Sequence, residues 1–202
     1  MSSRNEILEK LRRAQPQPVE LPSVPMFDEH LPPPYEQFQK SLEQMGGIWA
    51  GAPADGDLDS MIRARFPDLK VLCSAVPEVA GTRRIETVRD PHELNDVDVG
   101  VVRVGFAVAE TGSIWLSETQ YQVNALGYLS QHLVALLDPR DIIGNLHHAY
   151  HRNEFFEANY AVFMSGPSAT ADIQGVLIRG AQGIRSLTIV PMPRYAQMAG
   201  TI

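Results

Sequence analysis

Apolar residues recur every third or fourth position in some stretches of this chain and every second position in others. That change of period divides it into elements. Ile7, Leu8 and Leu11 follow Ser3-Arg4-Asn5-Glu6, a capping-box order, and predict a short helix over residues 4–14. Tyr35, Phe38, Leu42 and Met45 are spaced for a second helix, which Gly46-Gly47 stops. A strand over residues 47–52, a helix over 58–66 capped by Asp55 or Asp57, and a buried strand over 69–74 come next. Asp90-Pro91-His92-Glu93 orders a cap, a first-turn proline and an acidic residue, so a short helical turn starts there. Between residues 97 and 116, Val104, Phe106 and Val108 alternate with smaller neighbours, and Ile114 and Leu116 alternate after Thr111-Gly112. This pattern predicts a β-hairpin with its tip at residues 110–113.

Further on, residues 132–137 read as a buried strand, and Asp138-Pro139-Arg140-Asp141 opens a helix carrying Ile142, Ile143 and Leu146. A strand over 160–164, a helix over 170–179 and a last strand over 187–190 complete the series. Strands alternating with helices predict a three-layer α/β/α sandwich with a mostly parallel sheet and one antiparallel hairpin. Seven of the fifteen prolines lie between residues 15 and 34. The chain thus divides into an N-terminal helix and proline-rich arm over residues 1–34 and a single α/β domain over 35–202.

Composition narrows the function. A length of 202 residues with 44% hydrophobic content suits one well-buried domain, and a formal charge of −7 argues against nucleic acid as the main partner. No apolar run approaches the roughly 18–20 residues of a membrane span, and the N-terminus has no signal-like core, so a cytoplasmic location is expected. The single cysteine, Cys73, excludes an internal disulfide framework. An ordinary iron–sulfur cluster takes about four thiolates, so the chain holds none by itself, and no cofactor is expected. Within its apolar run, Cys73 reads as a buried, inert thiol.

Two stretches carry candidate chemistry. GPSATADIQG, beginning at Gly166, follows the apolar run Tyr160-Ala161-Val162-Phe163-Met164 and reads as a strand–loop–helix corner. A helix start leaves backbone N–H groups unpaired, and Ser165, Ser168 and Thr170 add hydroxyls. A carboxylate or other anion could dock there, or the hydroxyls could simply cap the helix. In AETGS, beginning at Ala109, Gly112 allows a tight turn or a close ligand approach, and Thr111 and Ser113 present hydroxyls. Glu110 could act as a base or a carboxylate nucleophile, or the whole could be a plain turn. His147 and His151 have metal-like spacing, but His148 stands where the zinc-protease pattern places glutamate and no third ligand is evident, so no metal is expected. His132 reads as a hydrogen-bonded core or edge histidine, and Trp49 and Trp115 as packing residues.

With GFAVAETGSIWL from Gly105 and GPSATADIQGVLIRGAQG from Gly166 both in view, the chain resembles the lactate utilization protein C (LutC/YkgG) family, whose domain is the LUD domain. Gln182 and Ile184 stand where that family usually has histidine and proline. The resemblance implies a fold similar to the NagB/RpiA/CoA transferase-like group. It also implies a part in oxidising L-lactate to pyruvate beside partner proteins that carry iron–sulfur clusters. The expected site is a two-loop pocket for a small anionic ligand at the carboxyl ends of the strands. Glu110, Thr111, Gly112 and Ser113 form one wall; Ser165, Gly166, Pro167, Ser168, Thr170 and Asp172 form the other. Whether the chain is an enzyme stays open. Ala109-Glu110-Thr111-Gly112 is similar to the glutamate segment of CoA-transferases, which would make Glu110 a nucleophile toward acyl-CoA. A non-catalytic ligand sensor or scaffold, self-associating through the N-terminal helix, is the other alternative.

Overall fold

In the computed structural model of the protein, residues 3–16, 19–20, 22–53, 56–171, 175–180 and 182–194 are described. Helix α1 (Ser3–Ala14) buries none of its residues, and Ile7 and Leu11 stay exposed. The arm leads to α2 (Pro34–Gln44), whose first-turn proline suits the unpaired start of a helix. There follow β1 (Ile48–Trp49), α3 (Leu58–Arg65), β2 (Leu72–Ser74) and β3 (Arg83–Arg84). Asp57 caps α3 by accepting from Ser60 N at 3.0 Å, and Asp90 and Glu93 close a reciprocal capping box over the turn Pro91–Leu94. The middle of the chain forms β4 (Val99–Arg103), β5 (Phe106–Val108), β6 (Ser113–Ser117), α4 (Glu118–Tyr121) and α5 (Leu126–Leu129). The rest forms β7 (His132–Leu137), β8 (Ile142–Ile143), α6 (Leu146–Ala149), α7 (Asn153–Glu157), β9 (Ala161–Met164), β10 (Ala169–Thr170), β11 (Ile178–Arg179) and β12 (Ser186–Pro191).

The main sheet has six strands in the order β1-β12-β7-β4-β2-β3, and every neighbouring pair is parallel. Its central strands are buried on both faces. Along β7, Leu133, Ala135 and Leu137 enter one core while Val134 and Leu136 enter the other. Leu58 and Ile62 of α3 cover the second face. The first face is covered by Phe38 and Leu42 of α2 and by a second sheet, of order β8-β5-β6-β9, through Ala107, Ile114 and Leu116. One outer layer of the sandwich is therefore part helix and part sheet. The expected hairpin is β5 with β6, in register Val108↔Ser113.

Two expected helices take other forms. Asp138 does start a turn, Pro139–Asp141, but Ile142 and Ile143 then pair in parallel with Ala107 and Val108. Two β-branched residues beside the open edge of β5 satisfy its backbone groups, and helix resumes only at the Asn145 cap. The helix expected over 170–179 is replaced at both ends by a ribbon, with Ala169↔Arg179 and Thr170↔Ile178 antiparallel. Gly175 and Gly180 both adopt left-handed φ, +70° and +72°, which a continuous helix excludes. Residues 172–174, Asp172 included, lie outside the described residues.

Candidate functional site

The two motif loops meet. Strands β6 and β9 run antiparallel with Ile114 opposite Met164, so the next residues along, Ser113 and Ser165, face each other. Their hydroxyl oxygens lie 2.5 Å apart, and Thr111 Oγ1 lies 2.6 Å from Ser113 Oγ. This hydroxyl chain joins residues 52 positions apart in sequence. Both loops also press on α2 and the turn after it. At Gly112, with φ +62°, an added Cβ would lie 2.3 Å from Leu42 N; at Gly166, with φ +71°, it would lie 2.3 Å from Met45 O. Gln37 Nε2 donates to Ser41 Oγ at 2.9 Å, and Ser41 Oγ donates to Glu110 O at 3.3 Å. The space that Gly112 could leave for a ligand is filled by the backbone of α2, and Gly166 packs on the turn after it.

Glu110 is exposed at the hairpin tip. Its N–H donates to Gly144 O at 3.0 Å, and its Oε2 accepts from Leu146 N at 3.2 Å, so its carboxylate helps to start α6. Pro167 is buried, and Thr170 lies in the β10–β11 ribbon. Ser168 N donates to Ile184 O at 3.0 Å, and Ser168 O accepts from Gly180 N at 2.7 Å. The corner was expected at the carboxyl ends of the main strands, and the structure corrects this. Ile184 precedes β12, and Met45 and Gly47, which touch Gly166, precede β1. The corner thus sits at the amino ends, because β9 belongs to the second sheet and does not exit at the main sheet's carboxyl edge. With no helix start at Thr170, positive charge at the corner comes instead from Arg179. Its guanidinium lies against Gly46, with Nη1 2.8 Å from where a Cβ would stand, and it has no ion-pair partner among the described residues. Arg179 lies within the second motif, but its place at the corner comes from the ribbon, which pairs it with Ala169.

The carboxyl edge carries a charge network that motif reading missed. Arg103, at the end of β4, pairs with Glu78 and donates from Nη1 to Met192 O at 3.0 Å. Asp138, buried at the end of β7, accepts from Arg140 Nη2 at 2.7 Å and from Arg194 N at 2.8 Å. Arg194 Nη2 donates to Gly105 O at 2.7 Å and Val104 O at 3.1 Å. Two cavities flank this network. One, of about 300 Å³, has Gly105, Trp115, Glu118 and Arg194 in its walls; the other, of about 290 Å³, has Ser74, Arg84 and Gln122. The Arg140 guanidinium and then the backbone amides of Arg194 and Arg140 outweigh burial and hold the Asp138 carboxyl well below the usual carboxylate range. A depressed folded-state pKa contributes stability that is complete above the unfolded value, about 4, and declines as pH falls through and below it. Acid unfolding followed by circular dichroism is therefore expected to show a steeper loss below about pH 4 in the native chain than in Asp138→Asn. Parallel curves would remove Asp138 from the account.

A family profile for the LUD domain matches residues 57–191, more than half of the chain and inclusive of both motif loops. The chain belongs to the LUD domain family. It is 30% identical over 120 residues to an uncharacterized protein of Neisseria meningitidis serogroup B, a match that takes in 58% of this chain and 51% of that protein. The chain thus matches about half the length of that curated relative. A crystal structure of a DUF162 family protein from Deinococcus radiodurans resembles it with a TM-score of 0.61 at 17% identity, over 78% of this chain and 95% of that one. That likeness carries the fold, an α/β arrangement with a large parallel sheet flanked by helices.

In this LUD domain α2 and β1 precede the matched segment, yet both loops of the motif pair rest on them. Cys73 is buried in β2, and burial pushes its thiol up to about 11, which fits the inert reading. His147 and His151 do not share one helix face, since α6 ends at Ala149, and His151 Nδ1 donates to His147 O at 2.9 Å. The neighbouring histidines hold the arm instead. His148 Nε2 lies 2.6 Å from Asp28 Oδ1, the Phe27 ring rests on His147 at 4.7 Å, and Asn145 Nδ2 donates to Met26 O at 2.7 Å. Among the described residues, no helix is long and apolar enough to cross a membrane, and no group of three or more His, Cys, Asp or Glu side chains is placed to hold a metal ion.

Proposed function

We propose that this LUD domain is an accessory protein of L-lactate utilization, taking part in the oxidation of L-lactate to pyruvate beside iron–sulfur partner proteins. We further propose that it holds a small carboxylate or other anion at the Ser165–Ser168 corner. Membership of the LUD family supports the first part. The second rests chiefly on one observation: Ser113 of the first motif and Ser165, which leads into the second, share a hydroxyl contact, and the Arg179 guanidinium, which has no ion-pair partner among the described residues, lies against Gly46 in the turn that packs on Gly166. Hydroxyl donors beside an arginine are what a carboxylate requires, and they replace the helix start expected from sequence.

The test is genetic. Deleting the gene is expected to abolish growth on L-lactate as sole carbon source while leaving growth on glucose intact. Reintroducing the native gene restores growth, and reintroducing Arg179→Ala restores it poorly. Undiminished growth of the deletion strain on L-lactate overturns the role. Full rescue by Arg179→Ala overturns the anion site and leaves the role standing.

A further inference from the structure

Across the sheet from the Asp138 network, the amino ends of β4, β7 and β12 open onto a cavity of about 260 Å³. Each of these strands, with α3 beside them, contributes a polar or charged group to it. Arg65 is the last residue of α3 and Phe66 follows it; Asp98 precedes β4, His132 begins β7, and Arg185 precedes β12. Sheet order explains the meeting, because β12, β7 and β4 are consecutive neighbours and the register sets His132 opposite both Val99 and Ser186.

The cavity holds two guanidiniums and two carboxylates that do not pair with each other among the described residues. Neither the Arg65 nor the Arg185 guanidinium has an ion-pair partner among the described residues. Asp98 is already committed, its Oδ2 accepting from Lys70 N at 2.7 Å and from Val71 N at 2.8 Å. Asp68 stands exposed on the rim. The His132 ring packs on Phe66 with centroids 4.7 Å apart, and its Nδ1 lies 2.7 Å from Ser186 Oγ. Burial lowers the His132 pKa, Arg185 and Arg65 lower it further, and Asp98 opposes them. Two guanidiniums that both bear on one half-buried imidazole, neither of them in an ion pair with Asp98 or Asp68 among the described residues, keep donors that an anion can take up.

We propose that this amino-edge cavity binds a small phosphate-bearing anion, clamped between Arg65 and Arg185 beside His132, whose ring Ser186 holds. A phosphate group fits because it offers several acceptor oxygens to two arginine forks at once. The proposal does not rest on the anion site at the Ser165 corner, since Arg179 takes no part in it. Bound phosphate replaces like-charge repulsion on the imidazolium with attraction, so it stabilises the protonated ring.

Inorganic phosphate titrated into the full chain, with the His132 ring followed by NMR, is the test. Phosphate is expected to move the His132 resonances saturably and to raise the ring's titration midpoint. Arg65→Ala and Arg185→Ala should each weaken binding about tenfold or more, and Arg185→Lys should recover part of it. Both arginines are exposed, so the alanine variants are expected to keep native circular dichroism, and Arg179→Ala should bind phosphate at His132 as the native chain does. A His132 signal that phosphate leaves unmoved overturns the site. So does undiminished binding by Arg65→Ala and Arg185→Ala, which would mean weak surface attraction only.

Discussion

Gly112→Ala is expected to destabilise the protein by about 2–5 kcal/mol, while Gly51→Ala costs only about 1–2 kcal/mol. Both glycines adopt left-handed φ, +62° and +72°, so both substitutions carry the same backbone penalty. They differ in surroundings. An added methyl at Gly51 meets nothing within 4 Å, whereas at Gly112 it meets the main chain of α2, with Leu42 N at 2.3 Å and Ser41 C at 2.5 Å. A helix backbone cannot step aside as a flexible side chain can, so α2 must lift or the hairpin must shift. Equilibrium denaturation of the two variants separates the terms, the difference between them being the cost of the overlap. Equal losses at the two positions would mean that α2 is not seated on the turn.

The Arg103–Glu78 pair carries the second large effect. Both side chains are mostly buried, with relative exposures of 19% and 12%, and Glu78 Oε2 has no hydrogen-bond partner among the described residues. Arg103→Met therefore leaves a buried carboxylate without its cation, at a cost of about 3–5 kcal/mol. It also strips Met192 O of its donor. Converting both positions, Arg103→Met with Glu78→Leu, removes the stranded charge and is expected to recover much of that loss. Denaturation of both single variants and the double variant closes the cycle. A double variant as unstable as the sum of the singles would show that the two charges do not interact.

The elements readable from the chain alone are those whose own residues carry a period. Strands β7 and β12 are buried on both faces and stand out as apolar runs. The caps at Asp57 and Asp90, and the hairpin joining Val108 to Ser113, are local chemistry and emerge where expected. Strands β3, β8 and β11 are two residues long and have no period to detect; neighbours define them. The ribbon of β10 and β11 stands where the spacing of Ile173, Val176 and Leu177 predicts a helix, because Gly175 and Gly180 take left-handed φ.

The candidate site divides the same way. That Ser113 and Ser165 belong together was legible, since one lies in the first motif and the other immediately before the second. That Gly112 receives α2, and Gly166 the turn after it, was not, because a positive φ suits the approach of a ligand and of another backbone equally. Arg65 and Arg185 lie outside both motifs and Arg179 inside the second, and only the strand order and the ribbon give them a setting.

The seating of α2 and β1 bears on where this domain can be cut. A chain trimmed to residues 57–191 would lose the strand that closes the β12 edge, together with the rings and methyls that Phe38 and Leu42 set into the core. It would offer solvent a row of unpaired amides beside a bare oily hollow, and copies of it would stick to one another. The profile's limits are narrower than the folding unit.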